Sequence, residues 1–405
     1  MSGGVDSSVA GHILKSQGYD VIGVTMKVWP QDCISRAEDK CCGPSAIADA
    51  RGVAHTLGIP HYVVDEADQF EKLIIDYFSS EYQAGRTPNP CVMCNEKLKF
   101  GNLWTKARAL GCDYIATGHY AIIEHYASRE EFLEKARTGE HSRERVGTAF
   151  QAVRTGGPLE TFPNSHARGR LGEASLPGYA VLRKGRDPRK DQSYFLSTLR
   201  NEQLLHALCP LGGMEKSEIR AIARQLGLKV ADKADSQEIC FVPGNDYKVF
   251  LKSHMDAGEF HPGGIYDKTG TRIAEHEGIE MFTIGQRKGL PGGSPRPRYV
   301  IDIDPATSSV IVGDEDDLTT EEFEIDRVNW IGEEEFAAPV EASVKIRYAH
   351  AGTAATVTPL ENGRARVRLH EPQRAVTSGQ AAVIYDGDRL LGGGWICRRP
   401  AVATA

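Results

Sequence analysis

Met1-Ser2-Gly3-Gly4-Val5-Asp6-Ser7-Ser8 is the stretch that decides the fold. Glycines at 3 and 4 let the backbone turn tightly and come close to a ligand. Ser7 and Ser8 offer hydroxyls. Val5, Val9 and Ile13 recur every four residues, the spacing of a helix that begins inside the motif. The first N–H groups of a helix lack intrahelical partners and carry partial positive charge, so a phosphate fits there. No Gly-Lys-Ser/Thr follows, which excludes a Walker loop.

Outward from this loop, strands alternate with helices. Asp20–Thr25 (DVIGVT) predicts a buried strand, Ser45–Leu57 a helix stopped by Gly58, and His61–Asp65 the next strand. Phe70, Leu73, Ile74, Tyr77 and Phe78 form the apolar face of a further helix ending near Gly85. Arg86 to Asn95 (RTPNPCVMCN) follows, where two prolines oppose helix. Asn95 is placed to cap the next helix, to about Leu110, with Cys94 just before its start. Asp113–Thr117 predicts a strand running into Gly118-His119-Tyr120. Such alternation implies a parallel sheet with ligands at the carboxyl ends of its strands. A phosphate loop normally follows a strand, whereas this chain opens on the loop; a start placed too late, with a strand of about five residues ahead of it, is the expectation.

Residues 125–178 are rich in Arg, Glu, Gly, Ser and Thr and predict a surface insertion with a short helix around Glu130–Ala136. The sheet pattern resumes at Tyr179–Leu182. Arg183 to Lys190 holds five basic residues in eight positions, the densest positive run in the chain. Either a solvated loop or phosphate contact accounts for it. Helices are predicted over Asn201–Leu208 and Ser217–Leu226. From about Pro262 the composition turns to Gly, Thr and β-branched residues, with hairpin signals at Asn362-Gly363 and Asp386-Gly387. The fold class is therefore α/β: a sheet domain over 1–244, a small α/β connector over 245–297 and a β-barrel over 298–398. The acidic run Asp314–Glu322 is expected as a solvated hairpin loop.

The length of 405 residues suits two or three domains, and 40% apolar with 25% charged residues is ordinary for a globular protein. No apolar run reaches the ~18 residues of a membrane span, and no secretory signal opens the chain. Nine cysteines, an odd number, point to a reducing cytoplasm where thiols react or bind metal. A net charge of −7 means that any nucleic acid must be met by a local basic patch.

Cys91, Cys94 and Cys240 stand out. Sulfur delivery needs one thiol to carry an extra sulfur as a persulfide and a second to attack or resolve it, both as thiolates. The Cys-x-x-Cys pair with Cys240 also suits a metal or iron–sulfur site. Cys112, Cys209 and Cys397 read as small apolar residues.

SGGVDSS resembles the PP-loop of ATP pyrophosphatases, which cleave ATP between its α- and β-phosphates and adenylylate a substrate. Together with MKVW, AGRTPNPCVMCNEKLKF, ATGHY, DPRKDQSYFL, DSQEICF, TIGQRKGL, VKIRY and VTSGQAAVIYDGDRLLGGG it makes the chain resemble the tRNA-specific 2-thiouridylases along its length, outside 125–178 and the absent first strand. The resemblance implies a PP-loop catalytic domain, a central domain and a C-terminal β-barrel gripping tRNA. Met1, Ser2, Gly3, Gly4, Val5, Asp6, Ser7, Ser8, Met26 and Gly118 would hold ATP, with Mg²⁺ bridging phosphates and Asp6 beside it. Asn89, Pro90 and Cys91 would touch the flipped wobble uridine. Cys94 would be the nucleophile and Cys240 the persulfide carrier. His119, Lys190, Asp191, Gln192, Arg347, Tyr348 and Gln380 would contact tRNA. A cytoplasmic monomer, fed by a sulfur-donor protein of a cysteine desulfurase relay, is implied. In one branch of the family an aspartate stands where this chain has Cys91. That substitution leaves an iron–sulfur-dependent variant open, ranked below the persulfide route. Argininosuccinate and GMP synthases, or another tRNA thiolase, share the ATP chemistry, but are expected to lack the paired cysteines of NPC-x-x-C and ICF. A non-catalytic RNA-binding protein would not need the phosphate loop.

Overall fold

The computed structural model describes residues 1–28, 43–138, 178–233, 239–292, 296–332 and 336–397. Cys33, Cys41, Cys42, Asp235–Glu238 and most of 125–178 lie outside these ranges.

Helix α1 (Val5–Ser16) opens at Gly4, whose φ −101 and ψ 166 are extended and which supplies no side-chain cap. Val5, Val9 and Leu14 form its buried face. Against them pack α2 (Pro44–Leu57) through Val53 and Leu57, and the helix Lys216–Gln225 through Ile219 and Ala223. Pro44 suits the first turn of α2, and Gly58 ends it in the left-handed region at φ 60.

Strand β1 (Gly23–Lys27) runs parallel to β2 (His61–Asp65), Gly23 opposite His61 and Lys27 opposite Asp65. β3 is shorter than predicted, only Ile115–Ala116. β4 (Ala121–Tyr126) and β5 (Tyr179–Lys184) are antiparallel, with Tyr126 opposite Tyr179. Tyr179–Leu182 therefore does not resume the parallel sheet; Arg183 of β5 pairs with Arg389 and joins this hairpin to the barrel. The helix expected over Asn201–Leu208 stops at Leu204, and β6 (Ala207–Leu208) lies parallel to β3. Periodicity cannot separate so short a buried strand from a helix end. The pairs β1–β2 and β3–β6 are separate two-stranded sheets among the described residues.

β7 (Gly263–Asp267), β8 (Arg272–His276), β9 (Tyr299–Asp304) and β10 (Ser309–Gly313) make a four-stranded sheet in the order β8-β7-β10-β9. The expected barrel start at 298 thus falls inside the connector, because β10 pairs in parallel with β7. The barrel contains β11 (Thr319–Trp330), β12 (Val340–Lys345), β13 (Thr353–Leu360), β14 (Arg364–Arg374), β15 (Ala381–Asp386) and β16 (Arg389–Ile396), closed by β11 against β16. The last four residues of the acidic run expected as a loop, Thr319–Glu322, are the first part of β11. Phe323, Ile325, Val344, Val357, Val367 and Ile384 fill the barrel.

One apolar cluster joins the N-terminal domain to the connector: Phe70, Ile74 and Phe78 meet Phe241, Phe250, Ile265 and Val310. Phe78 meets Phe241 edge-on with ring centroids 5.1 Å apart. Among the described residues no helix is long and apolar enough to cross a membrane.

Candidate active site

The phosphate loop is drawn together by its own serines. Ser7 Oγ accepts from the Ser2 N–H at 3.1 Å, and Ser8 Oγ donates to the Gly4 carbonyl at 2.8 Å. Gly3 has φ +64, and a Cβ there would lie 2.3 Å from the Ala46 carbonyl oxygen of α2, so only glycine fits. Thr25 of β1 donates to the Met1 carbonyl at 2.7 Å. Met26 follows at the carboxyl end of β1. Gly118, just past β3, lies against the loop; an added Cβ would be 2.9 Å from the Ser7 nitrogen. Loop, β1 end and β3 end therefore share one corner, and the uncapped first turn of α1 has the donor chemistry of a phosphate site.

Asp6 faces elsewhere. Its Oδ1 and Oδ2 lie 2.7 and 2.8 Å from Lys216 Nζ, and Tyr120 Oη donates to Oδ1 at 2.7 Å. A carboxylate so engaged does not fit as a direct Mg²⁺ ligand. Lys233 Nζ donates to the Gly3 carbonyl at 3.2 Å and meets Asp49 at 2.8 Å. Lys216 and Lys233 were not singled out from the sequence; they come from positions far along the chain, and no local pattern marks them.

The cysteine segment corrects the expected helix start. The helix begins at Pro90, not after Asn95: Asn89 is the N-cap, its Oδ1 accepting from the Val92 N–H at 3.3 Å, and proline suits the first helical position. Cys91 sits in the first turn. Cys94 opens a π-helical stretch, Cys94–Asn102, that runs on into Leu103–Ala109. Asn95 instead donates to the Phe195 carbonyl at 3.0 Å. Burial pushes the Cys91 thiol up to about 11, with Cys94 adding to the shift and Lys99 opposing it. Burial likewise raises Cys94, again against Lys99. Lys99, five residues after Cys94 in the π-helical stretch, also acts on Cys209 and His119. It is half-buried and makes no hydrogen bond or ion pair among the described residues. Its role was missed because the spacing is informative only once the wider helix is known.

Cys240 lies in a turn closed by the Val242 N–H donating to the Ile239 carbonyl at 3.0 Å. Next to it, Phe241 is buried among Phe70, Phe78 and Phe250. Cys94, Met93, Met26 and Cys240 all pack on the rim of this one cluster. The six described cysteines are free thiols. Cys91, Cys94 and Cys240 do not gather as three neighbouring ligands; among the described residues only Glu71, Asp76 and His254 do. These three thiols therefore do not form the tight ligand set of a single metal ion among the described residues. Cys209 is buried, as expected of a small apolar residue, while Cys112 and Cys397 are half-buried.

The residues expected at tRNA divide in two. Asp191 is buried and accepts from the Gly185 and Ser193 N–H groups at 3.0 and 3.1 Å. Gln192 pairs with Tyr120 both ways, its N–H to the Tyr120 carbonyl at 2.8 Å and its Oε1 to the Tyr120 N–H at 3.0 Å. His119 Nδ1 lies 2.7 Å from Thr117 Oγ1, and burial, then Lys99, holds its pKa well below the ordinary imidazole value. Gln380 reaches the Thr87 and Pro88 carbonyls. These four side chains face the protein. Arg347 and Tyr348 are exposed, and Tyr348 lies on Phe195 at 4.5 Å; Lys190 is half-buried. Within the basic run, Arg183 pairs with Glu124 and Asp388 at 2.9 Å each, and Arg186 approaches Glu215 and Glu218 at 3.8 and 3.5 Å.

Three family models match the chain: a tRNA methyl transferase HUP domain over residues 1–143 and 168–244, a tRNA methyl transferase PRC-barrel domain over 248–314, and an aminomethyltransferase beta-barrel domain over 320–396. A tRNA-specific 2-thiouridylase MnmA 2 of Clostridium botulinum is 42% identical over 397 residues, covering 98% of this chain and 97% of its own. That of Clostridium tetani is 43% identical over 398 residues, covering 98% and 97%. MnmA 1 of Caldanaerobacter subterraneus is 44% identical over 399 residues, covering 98% and 96%. With a phosphate loop, two thiols rimming one cluster beside it and a closed barrel, the chain belongs to the family of tRNA-specific 2-thiouridylases.

Proposed function

We propose that the protein makes 2-thiouridine in tRNA. ATP adenylylates the C2 oxygen of the wobble uridine, and a cysteine persulfide then supplies sulfur. The observation that carries this reading is the position of Cys94 and Cys240, remote in sequence, on the rim of one apolar cluster together with Met26 of the strand beside the phosphate loop.

A uridine C2 carbonyl is a poor electrophile, and its oxygen a poor leaving group. Attack of O2 on the α-phosphate of ATP expels pyrophosphate and makes AMP the group that leaves. The outer sulfur of a Cys240 persulfide bonds to C2 as the C2–O bond to AMP breaks. The Cys94 thiolate attacks the Cys240 sulfur, so the S–S bond breaks, sulfur stays on the base and a Cys94–Cys240 disulfide forms. A thiol reductant supplies two electrons to reopen it. Met1–Ser8 and Gly118 hold the nucleotide. In this reading Cys91, with Asn89 and Pro90 packed beneath it, takes the flipped base, and Arg347, Tyr348 and Lys190 take the tRNA, with His119, Asp191, Gln192 and Gln380 supporting them from within. A relay protein delivering sulfane sulfur is the matching partner. The free thiols support a reducing, cytoplasmic setting, and the reading takes the protein as a monomer.

The test is nucleoside mass analysis of tRNA incubated with protein, ATP, Mg²⁺ and a sulfur source. Thiolation with release of AMP and pyrophosphate is expected, and both Cys94→Ser and Cys240→Ser should abolish it. A fully active Cys240→Ser protein would reject the persulfide route.

A further inference from the structure

The segment that leads into the cysteine helix is held from outside its own domain. Gln380 stands between β14 and β15, and its Nε2 donates to the Thr87 carbonyl at 3.1 Å and to the Pro88 carbonyl at 2.9 Å. The Thr87 N–H in turn donates to the Ser378 carbonyl at 2.9 Å. Between them, Gly379 has φ +86, and a Cβ there would lie 2.8 Å from the Thr87 oxygen and 2.9 Å from Arg86 Cβ. The backbone of Gln380 is itself fixed to the closing strand of the barrel, its carbonyl accepting from the Ile396 N–H at 2.9 Å. On the far side, Arg86 is tied back to Glu81, Nε to Oε2 at 2.7 Å. The carbonyl of Pro88 immediately precedes Asn89, the cap from which the helix carrying Cys91 and Cys94 starts. Tyr194 adds a second tie in the same place: its Oη donates to the Ala381 carbonyl at 2.9 Å and lies 3.5 Å from Asn89 Nδ2.

We infer that Gln380 is a positioning residue for the two thiols: through Thr87, Pro88 and the Asn89 cap, it lets the barrel set where Cys91 and Cys94 stand. The inference rests on the proposed thiolation for its kinetic consequence. A carboxamide has two N–H donors and one acceptor oxygen. Here the donors face two successive carbonyls, an arrangement that neither a carboxylate nor an apolar side chain can reproduce. Gln380 thus acts on the reaction through the loop, whereas a tRNA contact acts through affinity. The two roles predict different measurements.

Gln380→Glu and Gly379→Ala are compared with wild type in the full-length protein. The first replaces the donor by an acceptor, and the second pushes the turn off the loop without touching the amide. tRNA affinity is read by filter binding, kcat and KM by thiolation, and loop integrity by iodoacetamide labelling of Cys91 and Cys94 without tRNA, resolved by peptide mass mapping. Buried Cys209 reports general loosening. A positioning role lowers kcat by about tenfold to a hundredfold, leaves tRNA affinity and KM within about twofold, and speeds labelling of Cys91 and Cys94 severalfold while Cys209 stays unreactive. Weakened tRNA binding with unchanged kcat and labelling overturns the inference in favour of a contact role, and three unchanged readouts overturn it outright. If wild type makes no 2-thiouridine, the functional reading fails, while the labelling still decides whether Gln380 holds the loop.

Discussion

Lys216 Nζ stands 2.7 Å from Asp6 Oδ1 and 2.8 Å from Oδ2, binding the first turn of the phosphate-loop helix to a helix 210 residues further on. The lysine is largely buried, at 11% side-chain exposure against 32% for the aspartate. Removing it leaves the carboxylate with Tyr120 alone. Lys216→Met is expected to cost about 1–3 kcal/mol of stability, nearer the lower figure because Asp6 reaches solvent, and to weaken ATP binding. Thermal melting and calorimetric titration with ATP check this. A double-mutant cycle with Asp6→Asn should return a coupling of about 0.5 kcal/mol or more; additive effects would show that the pair does not act as a unit.

Gly118 fits because it has no side chain. A methyl group there would stand 2.9 Å from the Ser7 nitrogen and 3.0 Å from the Asp6 carbonyl carbon, both backbone. Gly118→Ala is expected to push the strand end off the loop, cost about 1–3 kcal/mol, and raise the KM for ATP more than that for tRNA. An unchanged ATP KM would mean that the nucleotide does not depend on this corner.

Burial favours the protonated form of both Cys91 and Cys94. Labelling of native Cys91 should rise with a midpoint near pH 11, whereas the unfolded chain follows the ordinary thiol value of 9.0. For stability the sign is fixed: a thiol raised by folding contributes fully below pH 9 and loses that contribution as pH climbs towards 11. Lys99 opposes the shift at Cys94, so Lys99→Met should move the Cys94 labelling profile to still higher pH, and Lys99→Arg should restore it. A profile indifferent to residue 99 would remove the lysine from the site.

His119 titrates in the opposite sense. Burial holds it neutral well below the ordinary value of 6.5, so the unfolded state binds the extra proton first. Stability should be intact above pH 6.5 and fall as pH drops below it, at no more than about 1.4 kcal/mol per pH unit for this one group. The acid-side slope of chemical denaturation should be shallower in His119→Gln. Equal slopes would assign the acid sensitivity to His61, His125 or His276, which are also depressed.

The phosphate loop, the first helix and the two hairpins at Asn362-Gly363 and Asp386-Gly387 were legible because each is written in adjacent residues. Asn362 and Gly363 adopt φ 60 and φ 64, the left-handed pair that such a turn requires. What escaped was pairing at a distance. β9 and β10 have the composition of barrel strands, and nothing in their residues says that β10 prefers β7. The helix start at Pro90 was hidden by the rule that prolines oppose helices, which does not hold at the first helical position. Lys216 and Gln380 escaped as structural residues for one reason: their partners, Asp6 and the Thr87–Pro88 carbonyls, lie more than two hundred residues away.

The pairing of Tyr126 with Tyr179 also bears on the chain's architecture. Gly178 closes the same gap, its N–H donating to the Tyr126 carbonyl at 3.0 Å. Tyr126 and Gly178 therefore stand side by side at one end of the strand pair, although a long stretch of chain separates them in sequence. Because these two ends meet, added chain between them costs little closure entropy, so a tag or reporter is best inserted beyond the helix Arg129–Thr138, whose Phe132 packs on Tyr126 and Tyr179 and has to be kept.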